Sequence, residues 1–394
     1  MHIAILVSGL MKEKNESLTL TTINLAEHLA ADQNIASEPR SVVIITRNKD
    51  NLPPLEKVNG ITICRIKSLR KISLYNKLLS FPLAFRKLHR QQQFSIIHGF
   101  SASPVLVLRS LLAKWLFAKK AKVIHTLKSY PIKRNILAKK GSWLLSWLGD
   151  TQYWLLNFAD WITVPTQAHL AKLISRGVNH HKIKVIPSFI DLQKFKPQDK
   201  NVLKKKYGYS QDKIVLHYGS LWEIKGTDCL LKAMPAVIRN LPLVKLILIP
   251  RNKEQALEKY LPLIKKLGLS TTVQFILDEV KIEDYVNLAD LAVFPYPHLE
   301  GTEGNPSCLL ECLACGTLVI TSDLPELREV FFNSAILTKP AAVEELSAAI
   351  IEALTNNQPN SANNYSKLAQ PGLQLAKQFS INRTSQKFLE LYGS

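Results

Sequence analysis

The chain has 394 residues, which is too long for one ordinary core and suits two domains of roughly 150–200 residues each. Hydrophobic residues make up 46% and charged residues 21%, so both domains can bury a core and wholesale disorder is excluded. There are 51 Lys and Arg against 31 Asp and Glu, a net charge of +20, and 19 of those cations lie between Glu56 and Asp150, where no acidic residue occurs.

Short apolar, β-branched runs alternate with helix-period segments from end to end. In the first half the expected strands are Ile3–Val7, Val42–Thr46, Ile61–Ile66, Ile96–His98, Val123–Thr126, Trp161–Val164 and Ile183–Ile186. Helical patterns at Leu18–Ala31, Tyr75–Gln91 and Pro104–Ala118 fall between them. The second half repeats the plan, with strands at Ile214–Tyr218, Val244–Ile249, Val273–Phe275, Leu291–Phe294 and Val319–Thr321. Its helices are expected near Asp228–Asn240, Lys253–Leu267, Ile282–Ala289 and Pro306–Ala314. Such alternation predicts an α/β protein with two parallel, doubly wound sheets. Ligands of these sheets bind at the carboxyl ends of the strands, so two facing sheets predict a cleft between the domains. The polar, Lys-rich stretch Asp191–Lys206, with Pro197, reads as the boundary. Residues 1–195 then form a basic N-terminal domain and 205–375 a near-neutral C-terminal one. Residues 376–394 read as a last helix that packs back toward the first domain.

The five cysteines, three of them clustered, do not resemble a disulfide framework. Ile3–Val7 is too short for a leader, and the longer apolar stretches are interrupted by Arg109, Lys114 and Asp150. A cytoplasmic protein is expected.

The densest chemistry lies in the run from Glu300 to Gly316, directly after the strand Leu291–Phe294. Asn305 suits a helix N-cap, Pro306 the first helical position and Gly316 the helix end. Amides of Ser307 and Cys308 would then face outward at a positive helix end, where a phosphate is well held. Glu311, about one turn in, could accept hydrogen bonds from two vicinal hydroxyls such as those of a ribose; the alternative is a solvated helix glutamate. Glu303 could likewise serve only the helix dipole. A second anchor follows the first strand of the second sheet, where Gly219 and Gly226 permit close backbone approach and Lys225 offers a cation to a diphosphate. Cys308, Cys312 and Cys315 copy the spacing of a radical-SAM iron–sulfur motif. Inside a helix, however, they share one apolar face and read as small core residues.

These segments together carry a family resemblance. Glu303-x7-Glu311, followed by Ala-Cys-Gly316 and the strand Thr317–Thr321, resembles the retaining glycosyltransferases of family 4. The loop Gly219-Ser-Leu-x3-Lys-Gly226, Ala159-Asp160-Trp-Ile-Thr-Val, Val185-Ile-Pro-Ser-Phe-Ile-Asp191 and Phe195-x-Pro197 match that family in the same order. The resemblance implies the GT-B fold, two facing Rossmann-like domains with a cleft between them. It also implies a nucleoside-diphosphate sugar held mainly by the C-terminal domain, with no metal or other cofactor. By this likeness Glu303 contacts the donor sugar, Glu311 the ribose and Lys225 the diphosphate. Gly219, Ser220, Gly304, Asn305, Ser307 and Cys308 belong to the same donor loops. Ser220 stands where the family usually has Arg, and Arg251 after the next strand is the candidate substitute. The family's active-site His position falls on Lys128, with His125 three residues earlier, and Ser188 replaces the Asn of a Pro-Asn segment.

For the basic half, a solvated cationic face and nucleic acid are the lesser readings, since no nucleic-acid-binding signature accompanies the charge. An anionic membrane is preferred, because Ile66–Arg90 and Leu108–Lys122 mix Lys and Arg with Leu, Phe and Trp. Arg70, Lys71, Arg86, Lys87 and Arg90 are the cations singled out. Trp143, Trp147, Trp154 and Phe158 fall near one helical face, which reads slightly better as core than as lipid contact. The preferred function is therefore transfer of a sugar from a nucleoside diphosphate to a lipid-linked, saccharide or phosphorylated acceptor at the inner membrane face. The alternative is a non-catalytic member that scaffolds an assembly pathway.

Overall fold

The computed structural model describes residues 1–7, 10, 17–31, 40–48, 51–67, 74–100, 103–129, 151–355 and 365–394. It divides into two compact units, and each is an α/β unit with its own core. Unit 1 comprises Met1–Ser188, Glu300–Gly304 and Ile381–Ser394; unit 2 comprises Phe189–Leu299 and Asn305–Ser380.

Unit 1 runs β1 (His2–Val7), α1 (Ser17–Ala31), β2 (Ser41–Asn48), β3 (Leu55–Val58), β4 (Ile61–Lys67), α2 (Leu74–Gln92), β5 (Ile96–Phe100), α3 (Pro104–Phe117), β6 (Lys122–Thr126), α4 (Thr151–Leu156), β7 (Trp161–Val164), α5 (Gln167–Ile174) and β8 (Ile183–Val185). The strand order is β3-β4-β2-β1-β5-β6-β7-β8, parallel throughout except for the β3–β4 hairpin. That hairpin strand was not foreseen, because Leu55–Val58 alternates exposed and half-buried positions and lies at the sheet edge. Helix α2 shows how the pattern sets the packing. Phe81, Phe85 and Leu88, at helical spacing, are buried, while Leu83, Arg86, Lys87 and Arg90 face solvent.

Unit 2 continues with α6 (Lys200–Tyr207), β9 (Lys213–Gly219), α7 (Thr227–Asn240), β10 (Val244–Pro250), α8 (Lys253–Lys266), β11 (Val273–Phe275), α9 (Ile282–Leu288), β12 (Leu291–Phe294), α10 (Ser307–Ala314), β13 (Leu318–Ser322), α11 (Pro325–Phe331), β14 (Ile336–Thr338), α12 (Val343–Thr355) and α13 (Ala369–Gln378). Its all-parallel order is β11-β10-β9-β12-β13-β14. The Lys-rich stretch read as a boundary contains α6, capped by the Asp199 carboxylate. Lys204 pairs with Asp290 at 2.6 Å and Lys206 with Asp284 at 2.8 Å, so these cations dock a helix instead of solvating a linker. The final helix, α14 (Ile381–Gly393), belongs to unit 1.

Both units use one device at the amino ends of their strands. Asp160, just before β7, accepts from the Val123 amide and from the Lys114 ammonium, each at 2.6 Å. Asp290, just before β12, accepts from the Ile214 amide at 2.8 Å and from Lys204. An Ala-Asp pair thus ties a neighbouring strand and a covering helix together in each sheet.

Neutral imidazoles sit inside both cores. His98 on β5 is bonded on both ring nitrogens, to the Tyr392 hydroxyl of α14 at 2.6 Å and to Thr126 Oγ1 at 2.7 Å; Thr126 in turn reaches Thr163 at 2.7 Å. The His125 ring lies against Gly99, where a Cβ would come within 2.3 Å of it, so His125 is a core residue. Burial pushes His125 and His169 down to about 3 and His217 to about 4, from an ordinary value of 6.5. Unfolding lets these rings bind protons, so the unfolded chain carries more protons between those values and 6.5. Stability should therefore be full above pH 6.5 and fall as pH drops toward 3–4, by up to about 1.4 kcal/mol per ring for each pH unit. Urea midpoints measured from pH 7.5 to pH 4.5 are expected to decline, and a flat profile would show that these rings are not held neutral.

Candidate functional site

The loop after β9 is built by backbone geometry. Gly219 has φ +111°, and a side chain there would meet nothing within 4 Å, so the position needs conformational freedom and not the close approach expected from sequence. Gly226 needs both: its φ is +76°, and a Cβ would fall 1.8 Å from the Pro295 carbonyl oxygen. Asn252 clamps the loop between them, accepting from the Leu221 amide at 2.7 Å and donating to the Leu221 carbonyl at 3.2 Å. The Arg251 amide donates to the Gly219 carbonyl at 2.9 Å, which places half-buried Arg251 beside half-buried Ser220 at the carboxyl ends of β9 and β10. Lys225 sits in a single 3-10 turn before α7, its ammonium 5.0 Å from the centre of the Tyr296 ring.

Helix α10 starts one residue later than expected. Pro306 is the N-cap, no side chain caps the helix, and Asn305 lies outside it. Pro306 adopts φ −65° with ψ 126°, an extended and not a helical conformation, so Ser307 is the first helical residue. The amides of Ser307 and Cys308 remain at the helix start, and the helix ends where Gly316 takes φ +75°.

Glu311 is a held residue and not a solvated one. Its Oε2 accepts from the Tyr218 hydroxyl at 2.6 Å, and the same hydroxyl lies 3.2 Å from the Cys308 carbonyl. Tyr218 is buried at the end of β9 and was missed by sequence reasoning, because it reads there as one more apolar strand position. The two cysteines of α10 and Cys315, which caps its end, are free thiols, each near a separate polar partner: Cys308 with Tyr296, Cys312 with Tyr218 and Cys315 with Asn287. Burial pushes Cys315 up to about 12 and Cys312 well above the ordinary range, and among the described residues no His, Cys, Asp or Glu group could hold a metal ion.

Glu303 and Gly304 belong to unit 1. Glu303 forms an antiparallel bridge with Ser129, and the Gly304 amide donates to the Lys128 carbonyl at 2.9 Å. Burial pushes the Lys128 ammonium down from its ordinary value, and the Glu303 carboxylate opposes that shift. The pair is thus electrostatically linked at the carboxyl end of β6. Ser188 is buried.

On the basic side, Arg86, Lys87 and Arg90 are exposed on α2, whereas Arg70, Lys71, Trp143 and Trp147 lie outside the described residues. Trp154 and Phe158 are not core: they are 62% and 42% exposed and stack edge to face at 4.8 Å, and Trp115 joins them at 6.0 Å from Phe158. The cause is that α4 ends at Leu156, which leaves Phe158 beyond it.

Comparison with known proteins agrees with this architecture. A family model described as Glycosyl transferases group 1 matches residues 199–370, and one described as Glycosyltransferase Family 4 matches residues 20–194. The chain belongs to the group 1, family 4 glycosyltransferases. It is an enzyme of that family with the GT-B fold. Sucrose-phosphate synthase from Thermosynechococcus elongatus superposes with a TM-score of 0.79 at 19% identity, over 100% of this chain and 98% of that one. Anabaena HepE, solved with UDP and glucose, gives 0.77 at 18% identity, over 100% and 99%. Among curated relatives, the D-inositol 3-phosphate glycosyltransferase of Segniliparus rotundus is 24% identical over 89% of this chain and 80% of its own length. The GDP-mannose-dependent monoacylated alpha-(1-6)-phosphatidylinositol monomannoside mannosyltransferase of Corynebacterium glutamicum is 29% identical over 50% and 53%.

Tyr218 should act through Glu311. Tyr218→Phe removes one hydroxyl, keeps the ring and frees the carboxylate. Binding of the nucleotide ligand of this glycosyltransferase is expected to weaken about five- to tenfold, since a hydrogen bond to a charged group is worth roughly 1.5–3 kcal/mol and only part of it is lost here. Calorimetry on the folded variant checks this, and unchanged affinity would detach Tyr218 from the site.

Proposed function

We propose that this glycosyltransferase moves a sugar from a nucleoside-diphosphate donor to a lipid-linked, saccharide or phosphorylated acceptor, with retention and without a metal. The observation that carries the donor half is the Tyr218–Glu311 pair, which presents a fixed carboxylate one turn into α10. A carboxylate held on one side suits the vicinal hydroxyls of a ribose. Lys225 supports the diphosphate. It is a cation two residues before the first residue of α7, at the positive end of that helix's dipole, where a bound anion relieves the repulsion. The amides at the start of α10 offer a second anion contact. As the diphosphate leaves, charge builds on it, and Lys225 stabilises that charge more than the ground state. Gly219, Ser220 and Arg251 complete the donor loops, and Glu303 with Lys128 is assigned to the reacting sugar. HepE was solved with UDP and glucose, and the Corynebacterium relative is named as GDP-mannose-dependent.

Lys225→Ala should slow turnover and weaken nucleoside-diphosphate binding together, whereas Glu311→Ala should weaken binding by roughly ten- to a hundredfold. Donor hydrolysis screened over UDP- and GDP-sugars, with product binding by calorimetry, checks both. Unchanged turnover in Lys225→Ala would remove it from the diphosphate.

An acceptor at an anionic membrane is the reading that the basic half supports. Exposed Arg86, Lys87 and Arg90 on α2, exposed Lys119 and Lys120 after α3, and the exposed rings of Trp115, Trp154 and Phe158 combine cations with interfacial aromatics. Among the described residues no helix is long and apolar enough to cross a membrane, so attachment would be peripheral. Neutralising Arg86, Lys87 and Arg90 should lower binding to vesicles containing phosphatidylglycerol and leave donor binding unchanged. Binding should also fall as salt rises, because surface charges are screened over about 8–10 Å near physiological ionic strength. Equal binding to neutral and anionic vesicles would return this face to a merely solvated one.

A further inference from the structure

The segments that lead into β5, β6, β7 and β8 meet at the amino ends of those strands in unit 1, away from the Lys128–Glu303 pair at the carboxyl end of β6. They leave apolar groups in water: Trp115 near the end of α3, Trp154 on α4, Phe158 just beyond it, and Ile174 at the end of α5. Exposed Arg90, Lys119, Lys120 and Arg176 lie in the same segments. Across residues 87–95, 115–122, 154–160 and 174–184 the one acid is Asp160, already held by the Val123 amide and the Lys114 ammonium. The loop that carries Phe158 is pinned. The Lys182 ammonium donates to the carbonyls on either side of it, Asn157 at 2.6 Å and Ala159 at 2.9 Å. The Asn157 side chain donates to the Gly177 carbonyl at 3.1 Å and accepts from the Asn179 amide at 2.8 Å. Phe158 is thus exposed on a backbone tied down from both sides, and a cluster of large apolar groups kept in water marks an interaction surface.

We propose that an anionic bilayer seats on this amino-end pole with the Trp154 and Phe158 rings inserted, and that the acceptor is therefore a saccharide projecting from its lipid anchor and not a headgroup lying in the surface. This inference rests on the anionic-membrane reading of the basic half. Cations beside exposed rings suit a lipid surface, since the cations meet headgroup phosphates while the rings leave water at the acyl boundary. Nucleic acid would match the charge but not the rings. Phe158 meets Trp154 at 77° and Trp115 at 87°, edge to face, so the three form a wedge and not a platform on which bases stack. The reach follows from the sheet. Lys128, whose carbonyl accepts from the Gly304 amide, stands six residues beyond Lys122, the first residue of β6. Six residues of extended chain span roughly 20 Å. Seated on its amino-end pole, unit 1 holds the Lys128–Glu303 pair about that far from the lipid. A sugar at the outer end of a lipid-anchored saccharide reaches it there.

The test uses the full-length chain and vesicles of phosphatidylcholine with or without phosphatidylglycerol, with brominated acyl chains as a fluorescence quencher. Trp154→Ala combined with Phe158→Ala should weaken binding to the anionic vesicles by about tenfold or more, and the loss should persist at high salt because it is apolar. The melting temperature should hold, since both rings are exposed. A coumarin-bearing amino acid in place of Phe158 should be quenched by the brominated lipid. The same probe in place of Gln167, exposed at the start of α5 on the carboxyl side of β7, should not be. Should the double variant not fold, Trp154→Ala alone gives the same comparison. If the parent binds anionic vesicles but the variant binds as well and the probe at 158 stays bright, another face is seated on the lipid; this proposal then fails while the membrane reading stands. Quenching at 167 equal to that at 158 would bring the carboxyl ends to the lipid and overturn the projecting acceptor. A parent that ignores anionic vesicles overturns the membrane reading and this inference together. Ring-dependent binding of a single-stranded oligonucleotide in its place would assign the pole to nucleic acid.

Discussion

The centre of unit 2 depends on one buried imidazole. His217, near the end of β9, donates or accepts on both ring nitrogens: Nδ1 lies 2.7 Å from the Val293 carbonyl of β12, and Nε2 lies 2.9 Å from Thr227 Oγ1 at the start of α7. That pair of bonds ties the two central strands to the helix that follows the Lys225 loop. Burial holds the ring neutral, and the Lys225 ammonium adds to the same effect. A charged ring here would repel Lys225. Tyr218, the next residue on the strand, points its hydroxyl at Glu311, so two adjacent positions of β9 serve the two proposed contacts to the nucleotide.

Unit 1 uses the same chemistry for a different end. His98 bonds Tyr392 and Thr126, and the tilted Phe388 ring lies 5.2 Å from the same ring, so the last helix is secured by a polar chain inside an apolar surround. The Lys122 ammonium adds a contact to the Tyr392 carbonyl at 3.3 Å. The paired Ala-Asp devices, Asp160 and Asp290, organise the opposite ends of the strands. Loops at the carboxyl ends are thereby left to carry function, which is the division of labour that parallel sheets allow.

Where local reasoning went astray, backbone conformation and packing were the causes. Asn305 has the composition of an N-cap, but Pro306 after it takes an extended ψ of 126° and is itself the cap. Trp154 and Phe158 look like a core stripe at helical spacing, but α4 is too short to carry both, and the rings end at the surface. The lysines of α6 look like a linker until Asp284 and Asp290, about 80 residues later in the chain, are brought beside them.

Alternation of β-branched strands and helical segments, the glycines at 219 and 226, and the Glu303-x7-Glu311 spacing are local or periodic properties. They were legible in the chain because each depends only on residues a few positions apart. Two parallel sheets, the family and the identity of Lys225 and Glu311 as candidates followed from them. What only the tertiary structure decided are the long-range pairings: Tyr218 with Glu311, His217 with Thr227 and Val293, and His98 with Tyr392. These depend on which strands become neighbours, and a residue such as Tyr218 or His217 gives no sign in its own segment that its polar atom will be buried beside a particular acceptor dozens of residues away.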